Sequence, residues 1–504
     1  MPLLNRVSTT CARAIRSTGS SGVTKCSVSP LIIKNDHARP YERVVSAGSK
    51  SKSQSRAMAT SADSLVAFGQ QHVTRGLGRL TEAVMAKGEG SYVTFEDGRR
   101  MLDFSCGIGV TNLGHCHPKV SKAAADQCVN IVHAQCSISF HGPYLRLIEK
   151  LLPIMPDPSL DSFFFWNSGS EAIEASLKMA RQITGRQNII AMQGGYHGRT
   201  FGAMAVTKSK TVYSEGFFPL MPGVFAIPFP YWHQLGLPIN TSEEELVRFS
   251  LYQLDLVLKQ QTAPRDTAAI IVEPVLGEGG YVPAPASFLK GLRTVCDKHG
   301  ILLIVDEVQS GFGRTGKYFN VEYSSVRPDI LIIAKGLANG FPLSGVVSRK
   351  ELTDKLVPGS MGGTYAGNAV SCAAAVAVAN AFREEKVLDN VSARSSELLT
   401  SLKSLHDDPE VGSMVVDIRG QGLMIAVEFA SPLYSSTDPA LVSSAPKSLA
   451  SRVAKRCMEK GLLILTTSIY EVIRFIPPLN ISQGDLQKGC QIFAESVKEV
   501  IREG

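Results

Sequence analysis

Two short apolar runs each end on a single charged residue: Ile301–Val305 is followed by Asp306, and Ile330–Ala334 by Lys335. A lysine that can form a Schiff base and an acid that can pair with a pyridinium nitrogen are the two side chains that pyridoxal phosphate requires. Nearly continuous apolar runs of this length read as strands of a parallel sheet buried on both faces. Open α/β sheets bind their ligands just beyond the carboxyl ends of such strands. The acid and the lysine would then stand together at the rim where a cofactor sits.

Three further segments can complete such a site. Asn167-Ser-Gly-Ser170 follows the apolar run Phe163–Trp166 and opens a helical stretch. A small, glycine-containing turn at a helix start directs backbone N–H groups and the positive dipole end at an anion. Alone it reads more commonly as an ordinary serine-capped helix; the Asp306 and Lys335 pair tips the reading to a phosphate cradle. Gly194-Gly-Tyr-His-Gly-Arg-Thr200 follows the strand-like Asn188–Ala191. Tyr196 can stack there on a flat ring, and Arg199 can fork onto a carboxylate. The bland alternative is a glycine-rich loop with a solvated arginine. Glu273-Pro-Val-Leu-Gly-Glu278 follows Ala269–Val272, and its two carboxylates can pair with an arginine or do general acid–base work. Arg474, between Ile473 and Phe475, needs a carboxylate partner if it is buried.

Two look-alikes are set aside. Gly311–Lys317 matches the first seven positions of a P-loop, but Tyr318 stands where Ser or Thr must hold magnesium, and no helix is evident after it. His115-Cys116-His117 has metal-binding side chains. Gly114 and Pro118 flank it as in a turn, and no second ligand cluster follows at finger-like spacing, so no metal is expected.

The elements that must position these residues fill a long chain. It has 504 residues, 44% of them hydrophobic and 19% charged, as in a globular enzyme of more than one domain. No apolar run reaches the ~18 residues of a membrane span. The net charge of +7 is concentrated in the first 60 residues, which hold ten basic side chains and two acids, Asp36 and Glu42. The remainder is near neutral, which argues against a nucleic-acid partner. A Ser- and Arg-rich, acid-poor leader has the composition of a mitochondrial transit peptide, the alternative being a disordered tail on a cytoplasmic protein. Met58 at its end would allow a shorter product. Ten cysteines without a C-x-x-C pair fit a reducing compartment.

Residues 1–60 are thus expected to be a disordered leader, and 61–119 a segment joining a small domain, with a strand at Tyr92–Phe95 before the turn Asp97-Gly98. Alternating strand and helix patterns over 120–374 predict a large, doubly wound, mostly parallel α/β domain. Within it, Ile173, Leu177 and Ala180 share one face of a helix over 170–184, and Ser242-Glu-Glu-Glu245 reads as a capping box. An Ala-rich helix over Ser371–Arg383 leads into residues 375–504, read as a smaller α+β domain with a strand at Leu423–Val427 and a Ser/Pro/Ala loop near 434–447.

Taken together and in this order, the motifs resemble those of the class III (ω-amino acid) aminotransferases of the fold-type I pyridoxal-phosphate enzymes, from about residue 65 to the C-terminus. The likeness is greatest to 4-aminobutyrate aminotransferases. The resemblance implies that Lys335 carries the cofactor and Asp306 pairs with its ring nitrogen. It implies Gln309 at the ring hydroxyl, Tyr196 and Val308 on the two ring faces, His197 nearby, and Gly169 and Ser170 at the phosphate. Thr364 would reach the phosphate of the partner subunit in a homodimer with shared sites. Arg199 resembles the arginine that holds the distal carboxylate of an ω-amino acid, beside Ile108. Glu273 and Arg474 resemble a switch pair, in which Arg474 binds the α-carboxylate of glutamate or 2-oxoglutarate and Glu273 neutralises it when an ω-amino substrate enters; Glu278 is counted among the substrate contacts. Asn339, where Gly is common, and Ala369, where Pro is common, depart from the pattern.

The expectation is a ping-pong transfer from an ω-amino acid, 4-aminobutyrate first, to 2-oxoglutarate. Ornithine, acetylornithine, β-alanine and alanine–glyoxylate chemistry stay open. An aminomutase or decarboxylase on the same fold is disfavoured by the presence of two carboxylate-binding arginines, and a non-catalytic scaffold by the presence of both Lys335 and Asp306.

Overall fold

Seven strands form the central sheet: β1 (Ser162–Trp166), β2 (Asn188–Met192), β3 (Val224–Ile227), β4 (Thr267–Val272), β5 (Leu302–Asp306), β6 (Ile330–Ile333) and β7 (Ser344–Ser348). They belong to a computed structural model that describes residues 62–431 and 447–503. The leader and all but Lys447 of the 434–447 loop lie outside the described residues. The spatial order is β1-β7-β6-β5-β4-β2-β3. β6, β5, β4, β2 and β3 run parallel, and β7 runs antiparallel to both of its neighbours.

The apolar runs are explained by what covers them. Leu303, Val305, Leu331 and Ile333 belong to one core, whereas Ile304, Ile330 and Ile332 belong to another. With side chains alternating between faces, a strand covered on both sides must be apolar at every position. Asp306 is paired in register with Ile332, so β5 and β6 end at one rim and Lys335 follows three residues later.

Helix α1 (Gly169–Thr184) starts three residues after the end of β1. Ser168 caps it, accepting from the Glu171 N–H, while the Glu171 carboxylate returns to the Ser168 N–H at 2.8 Å. Ile173, Leu177 and Ala180 are buried, and left-handed Gly185 (φ 68°) ends the helix. Helix α2 (Glu243–Gln260) is capped by Ser242. Helix α3 (Ala369–Glu384) is capped by Asn368, whose side chain accepts from the N–H groups of Val370 and Ser371. Ala369 therefore serves as the first helical residue, a place a proline could also fill.

A second sheet comprises β8 (Val415–Gln421), β9 (Met424–Phe429), β10 (Leu465–Thr467) and β11 (Val472–Phe475), antiparallel throughout in the order β8-β9-β11-β10. Strand Tyr92–Phe95 lies between Met85–Glu89 and Arg100–Asp103, and Leu462–Leu463 completes that sheet. The N-terminal segment is thereby stitched to the C-terminal part. No helix among the described residues is long and apolar enough to cross a membrane.

Both look-alike motifs serve structure. His115 bonds Asp103 and His117 bonds Glu385, so the two imidazoles have separate partners. In Gly311–Lys317, Arg314 is fully buried; its guanidinium donates to the carbonyls of Leu423 (3.0 Å) and Pro477 (2.6 Å) and to Asn112 Oδ1 (2.9 Å). Replacing it strands three buried acceptors, each costing ~1–3 kcal/mol. Arg314→Met is expected to lower the unfolding temperature by several degrees in scanning calorimetry; an unmoved midpoint would show the guanidinium to be dispensable.

Candidate active site

Five strand ends converge on a cavity of about 290 Å³ lined by Ser168, Gly169, Ser170, Tyr196, His197, Glu273, Asp306, Val308, Gln309 and Lys335, with Phe341–Leu343 closing one wall. β1 delivers the start of α1, β2 the 194–200 loop, β4 Glu273, β5 Asp306 and β6 Lys335. Lys335 takes a left-handed backbone (φ 48°). Such strain, roughly 1–2 kcal/mol for a residue with a Cβ, persists where the surrounding fold over-determines it. Loss of water around its amine lowers the Lys335 pKa to about 8, and the Arg474 charge adds to this against Glu278, Asp306 and Glu273.

Asp306 is 5% exposed. One carboxylate oxygen accepts from the Val308 N–H at 3.0 Å; the other lies 2.7 Å from His197 Nδ1. Burial would lower the His197 pKa, but the bond to Asp306 and its charge outweigh this and hold it above the ordinary value. The imidazole thus backs the Asp306 carboxylate from within the fold and holds its orientation.

The other end of the cavity suits an anion. The N-terminus of the 16-residue α1 opens into it with Gly169 and Ser170. A Cβ on Gly198, whose φ is 129°, would collide with Ser170 Oγ, so only glycine lets the 194–200 loop lie this close. On Gly169 a Cβ would stand 3.3 Å from the Val308 side chain. Gln309 is held by the Tyr281 hydroxyl, which donates to its Oε1 at 2.6 Å.

The arginine pairing differs from expectation. Buried Arg474 on β11 has its carboxylate partner, but that partner is Glu278, with Nη1 2.5 Å from Oε1, and not Glu273. Glu273 is turned the other way. Its oxygens accept from the N–H groups of Tyr196 (2.8 Å) and Gly277 (3.0 Å). Burial, opposed by His197 and reinforced by Asp306, raises the Glu273 pKa to about 7. Burial alone would raise Glu278 as well, but Arg474 overrides it and the carboxyl titrates below its ordinary value. Arg199 is exposed and, like Glu278 and Arg474, is not among the residues lining the cavity; its Nε donates to the hydroxyl of cavity-lining Tyr196 at 3.2 Å and its guanidinium lies 4.5 Å from the centre of the Tyr213 ring.

Ile108, 45% exposed, and Thr364, also exposed, do not line the cavity of this chain. Asn339, also left-handed (φ 47°), accepts from the Leu113 N–H and donates to the Gly114 carbonyl, bonds a glycine could not make. Tyr281, Tyr213 and Lys210 surround Glu278 or Gln309 and escaped the sequence reading. Tyr281 sits just past the Glu278-Gly-Gly motif. Tyr213 and Lys210 occupy an irregular stretch with no periodicity to mark them.

An amine with a depressed pKa, an imidazole-backed carboxylate and an anion-binding helix start, all facing one cavity, fit pyridoxal phosphate: Lys335 to hold it, Asp306 for the ring nitrogen, Gly169 and Ser170 for the phosphate. Comparison with known proteins agrees. The family model "Aminotransferase class-III" matches residues 75–497. A 5-aminovalerate aminotransferase of Pseudomonas putida is 38% identical over 430 residues, covering 85% of this chain and 96% of that protein. The 4-aminobutyrate aminotransferase of Escherichia coli is 37% identical over 432 residues, covering 85% and 96%. Among solved structures, an ornithine aminotransferase of Toxoplasma gondii, described with partial occupancy of the cofactor at its active site, superposes with a TM-score of 0.74 at 27% identity, covering 88% of this chain and 95% of that one. Cavity, fold and relatives agree: the chain belongs to the class III aminotransferases, enzymes that depend on pyridoxal phosphate.

Proposed function

We propose that the enzyme moves the amino group of an ω-amino acid, 4-aminobutyrate first, onto 2-oxoglutarate by a ping-pong route. The observation that carries this reading is a pair of arginines next to the residues that line the cavity, exposed Arg199 bonded to the hydroxyl of cavity-lining Tyr196 and buried Arg474 masked by Glu278. An ω-amino acid has one carboxylate, which Arg199 can take while Glu278 keeps the Arg474 charge paired. A 2-oxo diacid has two, and the second requires Arg474. The relatives named for 4-aminobutyrate and 5-aminovalerate support a donor of this kind.

Bound pyridoxal phosphate supplies an electron-withdrawing ring that lets the carbon bearing the amine lose its proton. Asp306, backed by His197, holds a proton on the ring nitrogen. Lys335 moves the proton at the substrate carbon, a task suited to an amine that titrates near 8. Tyr196 and Val308, both lining the cavity, would hold the ring between them, and Phe341–Leu343 would keep water from that wall.

We also propose a homodimer in which Thr364 of one subunit serves the phosphate of the other. Support comes from the exposed apolar side chains of Val129, Ile138 and Phe140 and from Tyr365 beside Thr364. The leader's composition supports delivery to the mitochondrial matrix, with a cytoplasmic protein as the alternative. Sedimentation at twice the chain mass checks the first proposal, and cell fractionation the second.

The purified protein is expected to be yellow, to bleach with 4-aminobutyrate and to regain its colour with 2-oxoglutarate. Bleaching only by ornithine or β-alanine would move the donor within the family, and no uptake of pyridoxal phosphate would end the enzyme reading. Because the Lys335 amine must be neutral to add to the cofactor, the uptake rate should rise with pH through about 8 and then level off. Stopped-flow absorbance measures this, and a rate still climbing steeply at pH 10 would contradict a desolvated lysine.

A further inference from the structure

Glu278 sits between two cations. Its Oε1 is 2.5 Å from Arg474 Nη1, while Oε2 is 3.3 Å from the Tyr213 hydroxyl and 3.8 Å from Lys210 Nζ. The residue is 9% exposed, so a carboxylate released from Arg474 could not be rescued by water alone.

The backbone around it is pinned. The Gly277 N–H donates to Glu273, the Gly277 carbonyl accepts from Thr467 Oγ1 at 3.1 Å, and the Gly280 carbonyl accepts from Arg419 Nε at 2.9 Å. A Cβ on Gly279 would lie 2.6 Å from the Gly194 carbonyl oxygen. With the main chain held on both sides, rotation of the side chain is the freedom left to Glu278. Arg474 meanwhile keeps a spare donor, since its Nε has no hydrogen-bond partner among the described residues.

We propose that Lys210 is a positioning residue that receives Glu278 when a carboxylate of the 2-oxo acid takes Arg474. This rests on the two-arginine reading above and assigns a role to the opposite side of Glu278. The Lys210 side chain is 26% exposed, a cation already drawn out of water and facing the carboxylate oxygen that Arg474 does not hold. A Glu278 that leaves Arg474 keeps an opposite charge on Lys210 and a hydroxyl on Tyr213. Without Lys210 the carboxylate stays on Arg474 or must take up a proton, and the incoming acid meets a blocked arginine. The donor half-reaction leaves Arg474 paired and makes no such demand. Tyr213 also lies against Arg199, so the group that steadies the displaced carboxylate touches the second arginine of the pair.

The test uses the holoenzyme with Lys210→Met and Lys210→Arg, following each half-reaction by cofactor absorbance and titrating glutarate, an unreactive diacid, by calorimetry. Lys210→Met should change the 4-aminobutyrate half-reaction less than about threefold. It should lower kcat/KM for 2-oxoglutarate at least tenfold, about 1.4 kcal/mol, mostly through KM, with a matching loss of glutarate affinity. Lys210→Arg should restore both. Equal losses in the two half-reactions would overturn the proposal, because Lys210 would then hold a carboxylate common to both substrates. Undiminished glutarate binding in Lys210→Met would overturn it too. Failure of the two-arginine reading is distinct: wild-type enzyme would then ignore 4-aminobutyrate and other ω-amino acids and bind no glutarate.

Discussion

Parallel pairing of β5 with β6 sets Asp306 opposite Ile332, and the cavity is arranged around that register. Because side chains alternate along a strand, a slip of one residue would exchange the faces of the whole apolar set and carry Asp306 from the rim toward a core. Burial on both faces makes the slip prohibitive, since Ile304 and Val305 belong to different cores. Antiparallel β7 adds a second tie: Ser344 Oγ donates to the Ser168 carbonyl at 2.7 Å, which fixes the start of α1 relative to the same sheet.

Around that frame the electrostatics are a contest between dehydration and neighbours. Three carboxylates, Glu278, Asp306 and Glu273, favour a charged Lys335, yet the amine is depressed because burial is the larger effect. At His197 the balance falls the other way, since a direct bond to Asp306 beats burial. The difference is contact: a hydrogen bond at 2.7 Å outweighs charges acting at longer range. The same reasoning separates the two glutamates, one bonded to an arginine and held low, the other bonded to backbone amides and raised.

Much of this was legible in the sequence. The continuous apolar runs announced a doubly covered sheet, and their terminal Asp306 and Lys335 announced its working edge. Asn167–Ser170 announced a capped helix start at a strand end. The partner of Arg474 was not legible. Glu273 and Glu278 follow the same strand five residues apart, and choosing between them requires knowing where β11, some two hundred residues later, comes to lie. Glu273, nearest the strand end, is used by the amides of the neighbouring loop, and Glu278, farther out, reaches the second sheet. Lys210 and Tyr213 lay in a stretch without periodicity. Gly311–Lys317 shows the converse, a motif recognised by its letters whose arginine is buried among carbonyls instead of facing a phosphate.

Arg419 on β8 and Arg474 on β11 belong to one sheet, with β9 between them. Strand β9 contributes Glu428, which the Arg419 guanidinium, His233 and the Tyr231 hydroxyl all engage. The residue that anchors the loop at Gly280 and the residue that Glu278 masks therefore ride on the same rigid support. Loop and arginine are positioned together, Arg419 by its bond to the Gly280 carbonyl and Arg474 by its bond to Glu278. The second sheet thus acts as a ruler fixed to the first: its seating sets the span from Arg474 to Lys335, and loop and arginine share that one reference.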